Sequence, residues 1–473
     1  MFDCTPTPGN ERTSWITPAK AGAFLVLALL LFDCRSAMAI PAFARKYGMP
    51  CSSCHEAWPK LSAFGQAFKD NGYQMMNDRD APIFQQPAYW PVTFRMTTFW
   101  HRESTNRMQV DDPTSTTGGQ MEGKVTTHGF DWSGLDFHTG GTLAKNVSFY
   151  VLPSSDNTGA FHFETVMARL DNLAGSSWLN VKLGKFELDN LLSEKRILTL
   201  TNNAGVYQNY HFQPATENTS FFSFGIGDNQ VGAEWMGHSK DDRTRISAAV
   251  LSSNDGSPGL PTSRGYDTFL TASRAFEVGS LGLQRVGVFA YIGQAPTYFQ
   301  FNEGGAPVPG TGIGNKGFSR IGFIGMWYLK KFDFTTMYFR GTDSAYLGTG
   351  TAANQTLPVG AQNPAWNGAL IETHYTHSPQ FIIINRYEAI RMSRQALPVV
   401  AGGGFVPGVS VPSSNFGDID SFTIGSRYYP FISSRAGFAF HDEYSWVRQR
   451  GTSPVNGLDL TTSSLMFGFD FAF

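Results

Sequence analysis

The sequence predicts a mainly β protein: an antiparallel outer-membrane β-barrel of about 16 strands, preceded by a short α-helical segment. Three observations carry that prediction. Charged residues make up only 16% of the chain, while Phe, Tyr, Trp and Gly number 40, 17, 10 and 50, a bias away from ordinary soluble domains. From Val92 onward, segments of roughly ten residues alternate apolar and polar positions between turn-rich stretches. In the last segment, "SLMFGFDFAF", Leu465, Phe467, Phe469, Phe471 and Phe473 share one face, and period two holds to the final residue. The single long apolar run, Ala21 to Phe32, is too short for a stable membrane-spanning helix. The formal charge of −2 excludes the polycation that a nucleic-acid partner would require.

Taken in order, the chain opens with Lys20 before that apolar run and Ala37-Met38-Ala39 after it. This pattern predicts an export signal over residues 1–39, cut before Ile40. Cys4 and Cys34 leave with it, so Cys51 and Cys54 are the cysteines of the mature chain. Residues 40–90 then form a small module and residues 91–473 the barrel.

The module contains "GMPCSSCHEAWPKLSAFGQAFKDNGY". Cys-x-x-Cys-His is the attachment pattern of a c-type haem: the two thiols add to the two vinyl groups of one porphyrin, and the next residue offers its imidazole to the iron. Cys51 and Cys54 are the expected thioether anchors of one covalent haem c, and His55 its proximal ligand. A zinc site needs two further N or S ligands with no other Cys left to supply them, and a redox dithiol needs a βαβ context that is missing here. After His55 the pattern turns helical: Pro59 suits a first helical position, Leu61, Phe64 and Phe68 form one apolar stripe, and Gly72 sits where the helix stops. Gly65 beside that stripe allows a close approach, either to the porphyrin or to a packed helix. Arg45 and Lys46 are candidate propionate partners or solvated cations. A sixth iron ligand from within the module falls to Met49, Met75, Met76 or Met96, with Met75 and Met76 favoured because they follow the helix end. An open site, or a ligand from the rest of the chain, is the alternative.

In the barrel, the alternation predicts strands over 92–103, 124–139, 147–152, 161–170, 177–187, 230–237, 244–253 and 266–276. The second half continues with 284–292, 318–329, 332–340, 366–376, 381–390, 421–429, 436–447 and 458–473. Connections after even strands are short, such as Lys330-Lys331, whereas most after odd strands are long, such as 188–229 and 391–420. Outer-membrane barrels have short periplasmic turns and longer extracellular loops, so the segment before the first strand is expected on the periplasmic side, in the lumen or at its inner mouth. Sixteen strands enclose enough room for a small plug. Asp136 and His138 then meet the haem or serve as ordinary lumen polars. Gly312-x-Gly314-x-x-Gly317 has the spacing of a dinucleotide fingerprint but lies in a Pro/Gly loop without the strand and helix such a site needs.

The stretch "AIPAFARKYGMPCSSCHEAWPKLSAFGQAFKDNGY", followed by a barrel ending in Phe, resembles the fused monohaem cytochrome c–porin family, whose best-known members are outer-membrane ferrous iron oxidases. The residues that carry the resemblance are Pro41-Ala42-Phe43-Ala44-Arg45, the CxxCH, Pro59-x-Leu61, Phe64-Gly65 and Asn71-Gly72-Tyr73. It implies an oxidoreductase-type function in which extracellular Fe(II) is the electron donor and a periplasmic cytochrome or other electron carrier the acceptor. Another extracellular donor or acceptor is a second expectation. A diffusion porin with the haem module as gate or sensor is a third.

Overall fold

The computed structural model describes residues 42–49, 51–57, 60–75, 92–155, 158–188, 229–252, 266–296, 299–301, 307–309, 315–349, 351, 355–378, 380–397, 417–432, 437–450 and 459–472. The expected export signal, Pro59, Met76 and Phe473 lie outside them.

Sixteen strands close into one barrel. They are β1 (Val92–Asp111), β2 (Gln120–Ala144), β3 (Val147–Ser155), β4 (Phe161–Leu170), β5 (Asn180–Glu187), β6 (Asn229–His238), β7 (Thr244–Ser252) and β8 (Tyr266–Glu277). The second half comprises β9 (Leu283–Pro296), β10 (Asn315–Leu329), β11 (Phe332–Asp343), β12 (Ala365–Ser378), β13 (Phe381–Arg394), β14 (Ile419–Ile432), β15 (Gly437–Gln449) and β16 (Leu460–Ala472). Neighbours in sequence pair antiparallel, and the ring closes where β16 pairs with β1, from Thr462↔Thr105 to Ala472↔Arg95. Closure leaves no open sheet edge around the ring, the condition for a sheet to stand in lipid.

The two faces of the wall have opposite chemistry. In β10 and β12 the exposed side chains are apolar, such as Ile321, Phe323 and Ile371, while those on the other face, such as Arg320, Glu372 and His374, are buried. The terminal strand follows the same rule: Phe467 is exposed on the outside, and Met466 and Asp470 are buried on the inside. An apolar outer surface with a polar interior is the inverse of a soluble barrel and matches a sheet solvated by hydrocarbon. Among the described residues no helix is long and apolar enough to cross a membrane.

Every predicted strand is present. The largest difference is at β1 and β2, which extend to Asp111 and back to Gln120 through pairs such as Gln109↔Glu122. Ser104 to Arg107 are polar on both faces and the register shifts between Thr105 and Met108, which interrupts the pattern before Met108 and Val110 resume it.

The described residues form one compact unit. Within it the N-terminal segment folds as α1 (Ala42–Tyr47), a single turn α2 (Cys51–Cys54) and α3 (Ala63–Asp70). The helix expected near Pro59 starts later. Residues His55–Ala57 and Lys60–Leu61 pair as a two-stranded ladder, and Ser62 caps α3 by accepting a hydrogen bond from the Gly65 N–H at 3.1 Å. At the other end, Gly72 at φ +71° lets its own N–H reach the Lys69 carbonyl and the Tyr73 N–H reach the Phe68 carbonyl, which closes the helix as a Schellman motif.

Candidate functional site

The Cys-x-x-Cys-His residues are held by their immediate neighbours. One helical turn carries Cys51 and Cys54, so residues three apart stand on one face. The side chains of Cys51 and Arg45 lie outside the described residues. Cys54 and His55 are half-buried. Burial pushes the Cys54 thiol up to about 11, so it is fully protonated at neutral pH. The Cys54 carbonyl accepts from the Ser62 N–H at 2.8 Å, and the Ser62 hydroxyl donates to the Ser53 carbonyl at 2.9 Å, which ties the start of α3 to the cysteine turn. Gly65 then fits directly against the Cys54 carbonyl, where a Cβ would overlap it. Of the two readings of this glycine, the structure shows helix packing.

The predicted apolar stripe divides. Phe68 joins a compact aromatic group: its ring lies 5.3 Å from Phe43, 5.4 Å from Tyr47 and 6.0 Å from Tyr73. Phe43 stacks on Tyr73 at 4.9 Å, and the Tyr47 hydroxyl donates to the Tyr73 carbonyl at 3.2 Å. Met49 and Met75 pack against the same core. Phe64, next to Gly65, remains 39% exposed. Met96 is on β1 between the inward-facing Arg95 and Thr97, so it faces outward and is removed from the candidate iron ligands.

This segment rests on the inward-facing residues of β2–β5 and the turn after β4. Lys69 Nζ meets Glu187 Oε2 at 2.5 Å, and the Lys69 carbonyl accepts from Arg169 at 2.7 Å. Lys46 Nζ donates to Thr142 Oγ1 at 3.3 Å, and Tyr73 stacks on Tyr150 with ring centres 5.7 Å apart. Gly72 is pressed against Asp171 and Ser148, where a Cβ would overlap the Asp171 carboxylate. Lys46, one of the candidate propionate partners, is thus engaged with the wall. His138 bonds the Tyr150 hydroxyl at 2.6 Å through Nδ1, and Asp136 pairs with Arg95 at 3.2 Å, so both contribute to the interior packing.

Sequence reasoning missed the ionic networks elsewhere on the inner wall. Asp470 of β16 lies 3.2 Å from Arg95, 3.4 Å from His441 and 3.6 Å from Arg427, joining four strands. On β11–β13, His374 sits between Asp333 at 2.7 Å and Glu372 at 2.5 Å, and Glu372 also accepts from Arg386 at 2.6 Å. Both imidazole nitrogens face carboxylates. The only available signal was a charged residue on the polar face of a strand, which does not identify its cross-strand partner. Among the described residues no group of three or more His, Cys, Asp and Glu side chains forms a metal cage.

The donor set fits a covalent haem in three respects. A helical turn puts both cysteine positions on one side, the following imidazole is only half-buried, and Phe64 offers an uncovered aromatic surface one residue from the glycine that touches Cys54.

No family model matches the chain, and no curated protein matches its sequence. Among solved structures it is similar to an anion-selective porin from Comamonas acidovorans, with 9% identity, 81% of this chain and 99% of the porin covered, and a TM-score of 0.47. A loop L8 deletion mutant of OmpT, an outer membrane protein of Vibrio cholerae, aligns at 10% identity over 81% of this chain and 100% of its own, with a TM-score of 0.44. OprB of Pseudomonas putida aligns at 9% identity over 80% and 94% of the two chains, also with a TM-score of 0.44.

Proposed function

We propose that this chain is a bacterial outer-membrane barrel that moves electrons between the outside of the cell and the periplasm through one haem c, bound by Cys51 and Cys54 with His55 as the proximal ligand. The donor in this reading is extracellular Fe(II), and the acceptor a periplasmic cytochrome or similar carrier. The observation that supports it is the Cys-x-x-Cys-His pattern itself, followed closely by a helix whose Lys69 and neighbouring Tyr73 contact Glu187 and Tyr150 of the barrel wall. Covalent haem supplies a one-electron iron couple in that position. The chain's own contribution is to hold the attachment turn against Gly65 and Ser62 and to fix α3 to the wall.

The outer-membrane placement is supported by the apolar outer surface and by the asymmetry of the connections. Turns after even strands are as short as Lys330-Lys331, and this short-turn end is the periplasmic one in an outer-membrane barrel. In this reading the module lies toward that end, within reach of a periplasmic carrier. Export of the oxidation step has a chemical rationale, since Fe(III) is nearly insoluble near neutral pH and a cell gains by importing only the electron. Met75 is the candidate distal ligand inside the described residues, with Met76 the other.

A diffusion porin with the module as gate is the second reading. The closed ring of sixteen strands favours it, because such a ring is wide enough for an aqueous channel. Fe(II) added outside proteoliposomes separates the two readings. The electron-transfer reading expects reduction of the haem band and reoxidation by a carrier enclosed within. The porin reading expects solute flux through the wild-type barrel and no haem reduction.

A further inference from the structure

On the outside of the wall, at the end where the long loops emerge, pairing registers bring arginines into a line. Arg340 of β11 is opposite Asn367 of β12, and Asn367 is opposite Arg391 of β13. One step along, Asp420 of β14 is opposite Arg448 of β15. Arg391 pairs with Asp420 and so joins the two lines into one row across five adjacent strands. The side chains point away from the barrel interior: Arg340 alternates with the buried Phe339, and Arg391 with the buried Ile390. Each arginine strand carries an exposed aromatic ring on the same face, nearer the middle of the wall. These rings are Tyr338, Tyr387 and Tyr444.

An outward arginine is costly at the bilayer midplane and nearly free of cost at the interface, and an aromatic girdle marks that interface. The row therefore stands at headgroup level, above the tyrosines, facing sideways into the leaflet. Arg340 donates to Asn367 Oδ1 at 3.3 Å, Tyr387 donates to Asp420 Oδ1 at 2.7 Å, and Arg448 Nε donates to Asp459 Oδ2 at 2.7 Å. These contacts aim the guanidinium groups and leave further N–H donors on each planar fork, the geometry that suits a phosphate. Arg391 is 46% exposed while carrying its carboxylate partner.

The geometry points to a binding site for the phosphate groups of an outer-leaflet glycolipid, formed by Arg340, Arg391 and Arg448 on the lipid-facing surface of β11–β15. The site rests on the outer-membrane placement above and is independent of the haem. Arg391 and Arg448 each carry a carboxylate partner, Asp420 and Asp459, so selection of a lipid phosphate rests on the remaining N–H donors of the forks and on position: the row borders hydrocarbon on one side and water on the other.

The test uses full-length protein in phosphatidylcholine nanodiscs, with lipid bound per barrel read by native mass spectrometry. The probes are bis-phosphorylated lipid A, the same lipid with both phosphates removed, and inorganic phosphate. Wild-type protein is expected to bind the phosphorylated lipid about tenfold more tightly than the dephosphorylated one, and R340Q/R391Q/R448Q to lose that preference. K330Q/K331Q, at the opposite end of the barrel, is expected to keep it. Equal binding of the two lipids by wild-type protein overturns the site and needs no variant to fold. Full displacement by millimolar inorganic phosphate also overturns it, showing a free-anion site. A barrel that enters the nanodisc but shows no phosphate preference sinks this inference alone. One that does not enter sinks the membrane placement as well.

Discussion

Gly65 and the backbone of Cys54 are in contact so close that any side chain at position 65 would overlap the Cys54 carbonyl. The obstacle is backbone held in place by Ser62, so no rotamer change relieves it. Gly65→Ala is therefore expected to weaken the docking of α3 on the cysteine turn by about 1–3 kcal/mol, even though alanine favours a helix. Limited proteolysis of the 42–75 segment checks this, with faster cleavage in the variant as the expected outcome.

Lys69 and Glu187 anchor the same segment to the wall. Their side chains are 18% and 7% exposed, so removing the cation leaves a carboxylate with poor access to water. Lys69→Met is expected to loosen the segment by about 1–3 kcal/mol, after discounting the usual cost for the partial exposure of the lysine. Adding Glu187→Gln should recover part of the loss. Hydrogen exchange in α3 reads both effects, and equal protection in wild type and Lys69→Met would count against the anchor.

Arg320 and Asp343 are fully buried and meet at 2.7 Å, with the guanidinium 4.4 Å above the Trp366 ring. Arg320→Gln removes the cation of a buried ion pair and is expected to cost about 3–5 kcal/mol, while the Arg320→Met/Asp343→Asn pair costs less. The temperature at which the folded band disappears in unheated-versus-heated gel electrophoresis ranks the three proteins.

Cys54 behaves as a buried neutral thiol. Its ionisation is pushed from 9.0 up to about 11, so alkylation at pH 8 should be much slower than for an exposed cysteine. The linkage has a definite sign. Folded and unfolded thiols are both neutral below about pH 9, and stability falls as pH rises from about 9 through about 11 because only the unfolded thiol ionises freely. A haem-free Cys54→Ser protein, titrated alongside, should lack that slope.

The strands were legible because lipid imposes an apolar residue at every second position, as in Leu465 to Phe471. The turn-versus-loop asymmetry was legible from spacing alone. The polar run Ser104 to Arg107 and the register shift beside it break that rule, so the extension of β1 and β2 to Asp111 and Gln120 was missed. The motif Cys51, Cys54 and His55 was legible because its residues stand at a fixed local spacing. Its anchors were not: Lys69 and Glu187 are 118 positions apart, and only the closure of the barrel brings them together. Gly65 was visible as a close approach, but the backbone it approaches depends on how Ser62 turns the chain.

The central claim is tested most directly by mass spectrometry of the Cys51–Cys54 peptide from mature protein, combined with stopped-flow spectroscopy after mixing with Fe(II). The account predicts one haem joined through both cysteines, reduced by Fe(II) in wild-type protein and absent from Cys51→Ser/Cys54→Ser. A peptide with two free or disulfide-linked cysteines, or an attached haem that Fe(II) leaves oxidised, would contradict it.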